Sequence, residues 1–258
     1  MNSISLVSRF PQELIDKVVL ENVSDDATLR SCALVCRFFL WVSQTCIFSH
    51  IELGADPTPS TPGPRACRLH LVLQHSPHLS PYVRSLRILK GRPCWAAENS
   101  SLQAILSMLH ALTTFTFDVC DLNFQWNELP AELRTAICAL CARSPLSKLQ
   151  LTSLGKFTDP DEFASLIASP SLVHLDLSMI VLPPLDRAGM TPKRLKDLAN
   201  FSIHALPSTM DAVLRFLAER GVLVHLRQLV FMWSPEVTSH IQRFIDASAP
   251  SLQELALH

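Results

Sequence analysis

The chain has 258 residues, 48% of them hydrophobic and 17% charged, with a formal net charge of −1. That length suits one large domain, or a small one joined to a medium one. The near-neutral balance argues against a nucleic-acid footprint or attraction to an acidic membrane, and no apolar run reaches the roughly 18 residues of a membrane span.

The opening MNSISLVSRF lacks the apolar core and cleavage pattern of a secretory signal, so an intracellular location, cytoplasmic or nuclear, is expected. The Asn-x-Ser sequons at Asn22, Asn99 and Asn200 then stay unmodified. Eight cysteines scattered through a reduced chain of this size do not form a disulfide framework.

Pro11 suits the first turn of a helix, where its missing N–H would be unpaired in any case. Leu14, Ile15, Val18, Val19 and Val23 recur at helical spacing and form one apolar stripe, with Asp16, Lys17 and Glu21 opposite. Ser24, Asp25 and Asp26 end that helix and can cap the next. A second apolar run extends from Leu29 to Val42, and Phe48, Ile51 and Leu53 close the segment. Cys32 and Cys36 fall one turn apart on an apolar helix face. Three short helices in about 44 residues have a very small core. Phe10, Phe38, Phe39, Leu40, Trp41 and Phe48 exceed what such a unit can bury, so a partner or the rest of the chain is expected to cover the surplus.

FPQELIDKVV resembles the LPxELLxxI opening of an F-box, and SCALVCRFFLWVSQTCIFSHIEL resembles its second half in the form common in mushroom-forming fungi. Phe10 and Phe48 stand where the family has Leu and Trp. The resemblance implies a module at residues 1–53 that binds a Skp-type adaptor, and through it a cullin. The adaptor-facing positions it implies are Phe10, Pro11, Leu14, Ile15, Val18, Leu34, Val35, Phe38 and Phe39.

Residues 54–66 read as a linker, because GADPTPSTPGP carries four prolines and two glycines in eleven residues. Its extended geometry favours separation of the module from a second body at 67–258. In that body an apolar residue is followed, after two positions, by apolar-x-apolar. The middle residues Leu86, Phe115, Leu149, Leu175, Phe201, Leu229 and Leu255 lie 29, 34, 26, 26, 28 and 26 apart.

SLRIL, TFTFD, KLQLT, HLDLS, FSIH, QLVFM and ELALH alternate with period two and read as short strands. Between them, Leu102–Leu109, Leu133–Cys141, Phe163–Ile167, Val213–Leu217 and Ile241–Ile245 carry helical spacing. Strand, helix and Pro-bearing return repeat as a right-handed parallel coil. The fold class expected is α/β: a small three-helix F-box followed by an irregular, leucine-rich-repeat-like solenoid of alternating parallel strands and helices. This pattern resembles the repeats that follow many F-boxes, although the usual turn Asn is missing. CRLHLVLQHSPHLSPYVRSLRI likewise resembles the segment joining F-box to solenoid in the fungal proteins. Arg87, Thr116, Gln150, Asp176, Ser202, Val230 and Trp233 would line a concave sheet able to hold a protein client. The loop from Leu182 to Lys193 is an alternative contact. The last strand ends at His258 without a polar cap, so a fragment of a longer chain is expected.

The chain contains no phosphate loop, dinucleotide fingerprint, nucleophile elbow or H-E-x-x-H. The carboxylates of Asp159-Pro160-Asp161-Glu162 precede a predicted helix and read as caps. Cys138-Ala-Leu-Cys141 lacks a second pair at metal spacing and reads as core, and His70, His75 and His78 lack a partner ligand. No enzyme activity, metal or cofactor is expected. Two readings of function remain: a substrate receptor of a cullin-RING ubiquitin ligase, or a scaffold whose helices merely cap the sheet near Tyr82–Ile88.

Overall fold

The computed structural model describes residues 11–54, 65–89, 100–119, 124–182, 198–205, 225–231 and 248–257, with Thr209, Met210, Leu217, Gln242 and residues 212–214 and 245–246. Phe10, Trp233, Ile241, Phe244 and most of the 182–193 loop lie outside these residues.

Helix α1 (Gln12–Glu21) starts after Pro11, whose φ of −55° and ψ of 139° put it at the cap position. Ile15 and Val19, one turn apart, face inward. Asp25 caps α2 (Asp26–Val35) by accepting from the Ala27 and Thr28 backbone N–H groups at 3.0 and 3.2 Å. These bonds hold its carboxyl below the usual range, with the Thr28 hydroxyl the largest cause. Cys36 is fully extended, with φ −166° and ψ 172°, and breaks the Leu29–Val42 run into α2 and α3 (Arg37–Ser49). Cys32 and Cys36 therefore do not share a helix face, contrary to the expectation from spacing.

Helix α3 runs directly into β1 (His50–Leu53), a strand that apolar alternation over so few residues did not reveal. After it come α4 (Arg65–His75), a 3-10 segment (Pro77–Tyr82), β2 (Ser85–Ile88), α5 (Ser100–Met108) and β3 (Thr114–Asp118). Arg65 and Ala66 thus belong to a helix and not to the expected linker. The chain continues with α6 (Ala131–Arg143), β4 (Lys148–Lys156), α7 (Pro160–Leu166), β5 (His174–Val181), β6 (Asn200–His204), β7 (Gln228–Phe231) and β8 (Glu254–Leu257).

The strands form one open, eight-stranded, all-parallel sheet in chain order, β1 to β8. The pairs share one register at the strand starts, so Leu86, Phe115, Leu149, Leu175, Phe201 and Leu229 form one buried row, and the β4–β5 pair shifts only further on, between Thr152 and Gly155. Helices α4, α5, α6 and α7 each pack on the next. The strand entries are stitched by a repeating seam. The Arg84 carbonyl accepts from Thr113 and Thr114 N–H, Thr113 from Ser147 and Lys148, and Ser147 from Val173 and His174. Val173, Ala199 and Arg227 repeat the arrangement.

Two of the strands run on past their neighbours. Ser153 and Met179 take left-handed φ values of 56° and 54°, which shifts the in–out alternation by one residue. Leu154 and Ile180 thereby stay buried, while Met179 is turned outward. Gly155, at φ 60°, lies so close to the chain that a Cβ would sit 1.9 Å from the Phe124 carbonyl oxygen.

The centre of the core is aromatic. Trp126 stacks on Phe157 at 5.0 Å and meets Phe117 edge-on at 6.5 Å, and Phe157 meets Phe163 at 5.7 Å. Trp126 Nε1 donates to Glu162 Oε2 at 2.6 Å, and Arg134 Nε donates to Oε1 at 3.0 Å. Asp159 caps α7 as expected, through the Asp161 N–H. Glu162 does something else: it satisfies the buried Trp126 indole, and it pairs with the Arg134 guanidinium, which also donates to the Asn127 and Leu129 carbonyls.

Candidate partner-binding surfaces

The helical trio α1–α3 has its own core, formed by Val19, Leu29 and Val42 with Phe39, Cys46 and Ile47 packed against them. Helix α3 is the centre of the unit, packing on both α1 and α2. Gln12 Nε2 donates to the Phe38 carbonyl at 3.1 Å, which fixes the start of α1 against the start of α3. Leu14, Val18, Leu34, Val35 and Phe38 are exposed, Leu34 to 88%. So are Leu20, Val23, Leu40 and Trp41, which the family pattern did not single out. Burying one such side chain is worth about 1.5–3 kcal/mol.

Two of the predicted adaptor contacts face the other way. Ile15 is buried, and Phe39 packs into the trio's own core. Both follow from geometry: Ile15 pairs with Val19 one turn on, and Phe39 stands three residues before Val42 on the same side of α3. Pro11 is exposed at the cap of α1.

The trio is also anchored to the sheet. β1 pairs with β2 from His50↔Ser85 to Leu53↔Ile88, and Arg84 N–H donates to the Ser49 carbonyl at 3.0 Å. Phe48, Ile51 and Tyr82 pack on the main core. The separation expected from the Pro-rich linker is therefore overturned, because β1 joins the sheet before that stretch begins. Docking uses the carboxyl half of α3, however, and leaves Leu14, Val18, Leu34 and Phe38 exposed.

The second surface is the sheet face whose side chains alternate with the buried rows. Glu52, Arg87, Thr116, Gln150, Asp176, Ser202, Val230 and Ala256 stand in one continuous register row across all eight strands. Six of the seven residues expected to line that sheet thus come together, and Trp233 lies outside the described residues. Thr116 is only 8% exposed and is closed in by its neighbours, which makes it a poor contact. Arg87 lies 3.7 Å from Glu52, and Gln150 Nε2 donates to Asp176 Oδ2 at 3.1 Å. Met179 adds an exposed apolar group at the end of β5.

Burial pushes the Asp176 carboxyl above its ordinary range, opposed by His204, Lys148 and a hydrogen bond from Ser202. Its folded-state value exceeds the unfolded one, so the folded chain holds more protons in that window and stability falls as pH rises through it. Asp176→Asn is expected to remove that slope and to leave stability at neutral pH equal or higher. Urea unfolding followed from about pH 4 to 7 checks this; a variant less stable at neutral pH would contradict it.

Burial, and then the Glu162 carboxylate, push the Cys138 thiol up to about 12, and burial also raises Cys141. Both are protonated side chains of the α6 packing face, in keeping with the core role. Among the described residues no group of three or more His, Cys, Asp or Glu side chains could hold a metal ion, and no helix is long and apolar enough to cross a membrane. No protein-family model matches the chain, and no curated protein matches it either.

Proposed function

We propose that the chain is a substrate-receptor subunit of an SCF-type cullin-RING ubiquitin ligase, acting inside the cell. On this reading the helical trio is an F-box that binds a Skp-type adaptor. The repeating strand–helix body is a leucine-rich-repeat-like solenoid whose open face holds a protein client. The observation that carries the reading is the apolar surface of α1–α3, which no described residue of the chain covers. The F-box-like spacing of FPQELIDKVV and SCALVCRFFLWVSQTCIFSHIEL supports it independently.

The role is positional. The receptor raises the effective concentration of a client near a ubiquitin-carrying enzyme and performs no bond chemistry itself. Anchoring β1 in the sheet fits this role, because it ties the adaptor-facing helices to the client-facing strands. The scaffold alternative also draws on an observation, the packing of Phe48 and Ile51 on the sheet. It leaves the outward-facing Leu34 and Val35 without a purpose.

Size-exclusion chromatography of the purified chain with a purified Skp-type adaptor separates the two. A shared peak at equimolar mixing supports the receptor. Two separate peaks at micromolar concentration support the scaffold.

A further inference from the structure

We propose that α1 and α2 open away from α3 in a large fraction of free molecules while the sheet stays folded, and that adaptor binding closes them; the partner in this step rests on the reading above. The trio and the sheet have separate cores. Val19, Leu29 and Val42 are the fully enclosed part of the smaller one, set against the ordering of some two dozen residues of α1 and α2. The two ends of α3 differ in how they are held. Its carboxyl half is fixed by Phe48 on the main core and by the Ser49 carbonyl bond, whereas α1 and α2 rest on its remaining face.

That face carries a defect. Ser43 is 0% exposed, and its Oγ has no hydrogen-bond partner among the described residues. It stands four residues from both Phe39 and Ile47, which pack on the small core, so an unpaired hydroxyl lines the contact that holds α1 and α2. Such a unit opens locally without global unfolding. Apparent affinity for a partner that needs the closed form is then reduced by the closed fraction.

The test is amide hydrogen exchange on the intact chain, with adaptor affinity measured in parallel. In the free protein, α1 and α2 amides should exchange at rates near those of an unfolded chain, while β3–β5 amides stay protected. Ser43→Ala removes the orphan hydroxyl, which costs only the closed form, so it should slow α1–α2 exchange about tenfold and tighten adaptor binding by up to the same factor. Val19→Ala leaves a cavity in the small core and should shift both readouts the other way, although Val19 is fully buried in the closed trio. Protection of α1 and α2 equal to that of β3–β5 in the free chain would overturn the proposal. Exchange that shifts while affinity stays fixed in both variants would overturn the coupling to binding. A wild-type chain that does not bind the adaptor defeats the ligase reading alone, because exchange decides the opening without any partner.

Discussion

Leu34→Asp is expected to abolish co-elution of the chain with a Skp-type adaptor while leaving its thermal midpoint unchanged. Leu34 is 88% exposed near the end of α2, so a carboxylate there stays hydrated in the free protein. In the last turn of α2 that charge opposes the helix dipole by about 0.3–1 kcal/mol, a cost to the trio that the thermal midpoint of the sheet does not register. In a complex the same carboxylate would be pressed into an apolar contact without a partner. Central interface positions then lose about 2 kcal/mol or more, roughly 30-fold in affinity. Leu14→Asp adds to the effect from α1, and the double variant should show no shared peak even at tens of micromolar. Ile15→Asp is the instructive contrast. It charges a buried position, so it should loosen the trio itself and cannot serve as an interface probe. Retained co-elution of the Leu14→Asp/Leu34→Asp protein would remove the outward stripe from the binding account.

Trp126→Ala is expected to be among the most destabilising single changes, at about 3–5 kcal/mol. The indole is fully buried, stacked on Phe157 and edge-on to Phe117, and it donates to Glu162. Its removal leaves a cavity and strips Glu162 of one of its two side-chain donors. Folded domains have about 5–15 kcal/mol in total, so a large part of the margin is at stake. Trp126→Phe keeps much of the volume and should lose distinctly less. Urea titration of both variants measures this as a lower midpoint with little change in slope. A loss under about 1 kcal/mol for the alanine variant would show that this aromatic cluster is not the centre of the core.

These two positions differ in how far the sequence exposed them. The strand rows were legible because apolar-x-apolar recurs at a nearly constant interval, and a parallel sheet in chain order preserves that register from Leu86 to Leu255. β1 was not, since Ile51 and Leu53 supply only two apolar positions directly after a helix. The Pro-rich stretch then suggested a separation that β1 had already cancelled.

The exposed stripe was partly legible. Helical spacing groups Leu14, Ile15, Val18 and Val19 together, but it cannot say which edge of a broad stripe faces the neighbouring helix. The packing chose Ile15 and Val19. Glu162 was misread because a carboxylate in a helix's first turn is an ordinary dipole partner, and its bonds to Trp126 and Arg134 span 36 and 28 residues. No local pattern carries contacts at that distance.

The central claim is that a second polypeptide covers the outer face of α1–α3. Photo-activated carbene labelling of the intact chain, with and without a purified Skp-type adaptor, reads that coverage side chain by side chain. Labelling of Leu14, Val18, Leu34, Val35, Phe38 and Trp41 should fall severalfold in the complex, while Met179 and the open sheet face stay unchanged. Unaltered labelling of the helical stripe in a sample that does bind the adaptor, or loss confined to the sheet face, would contradict the account.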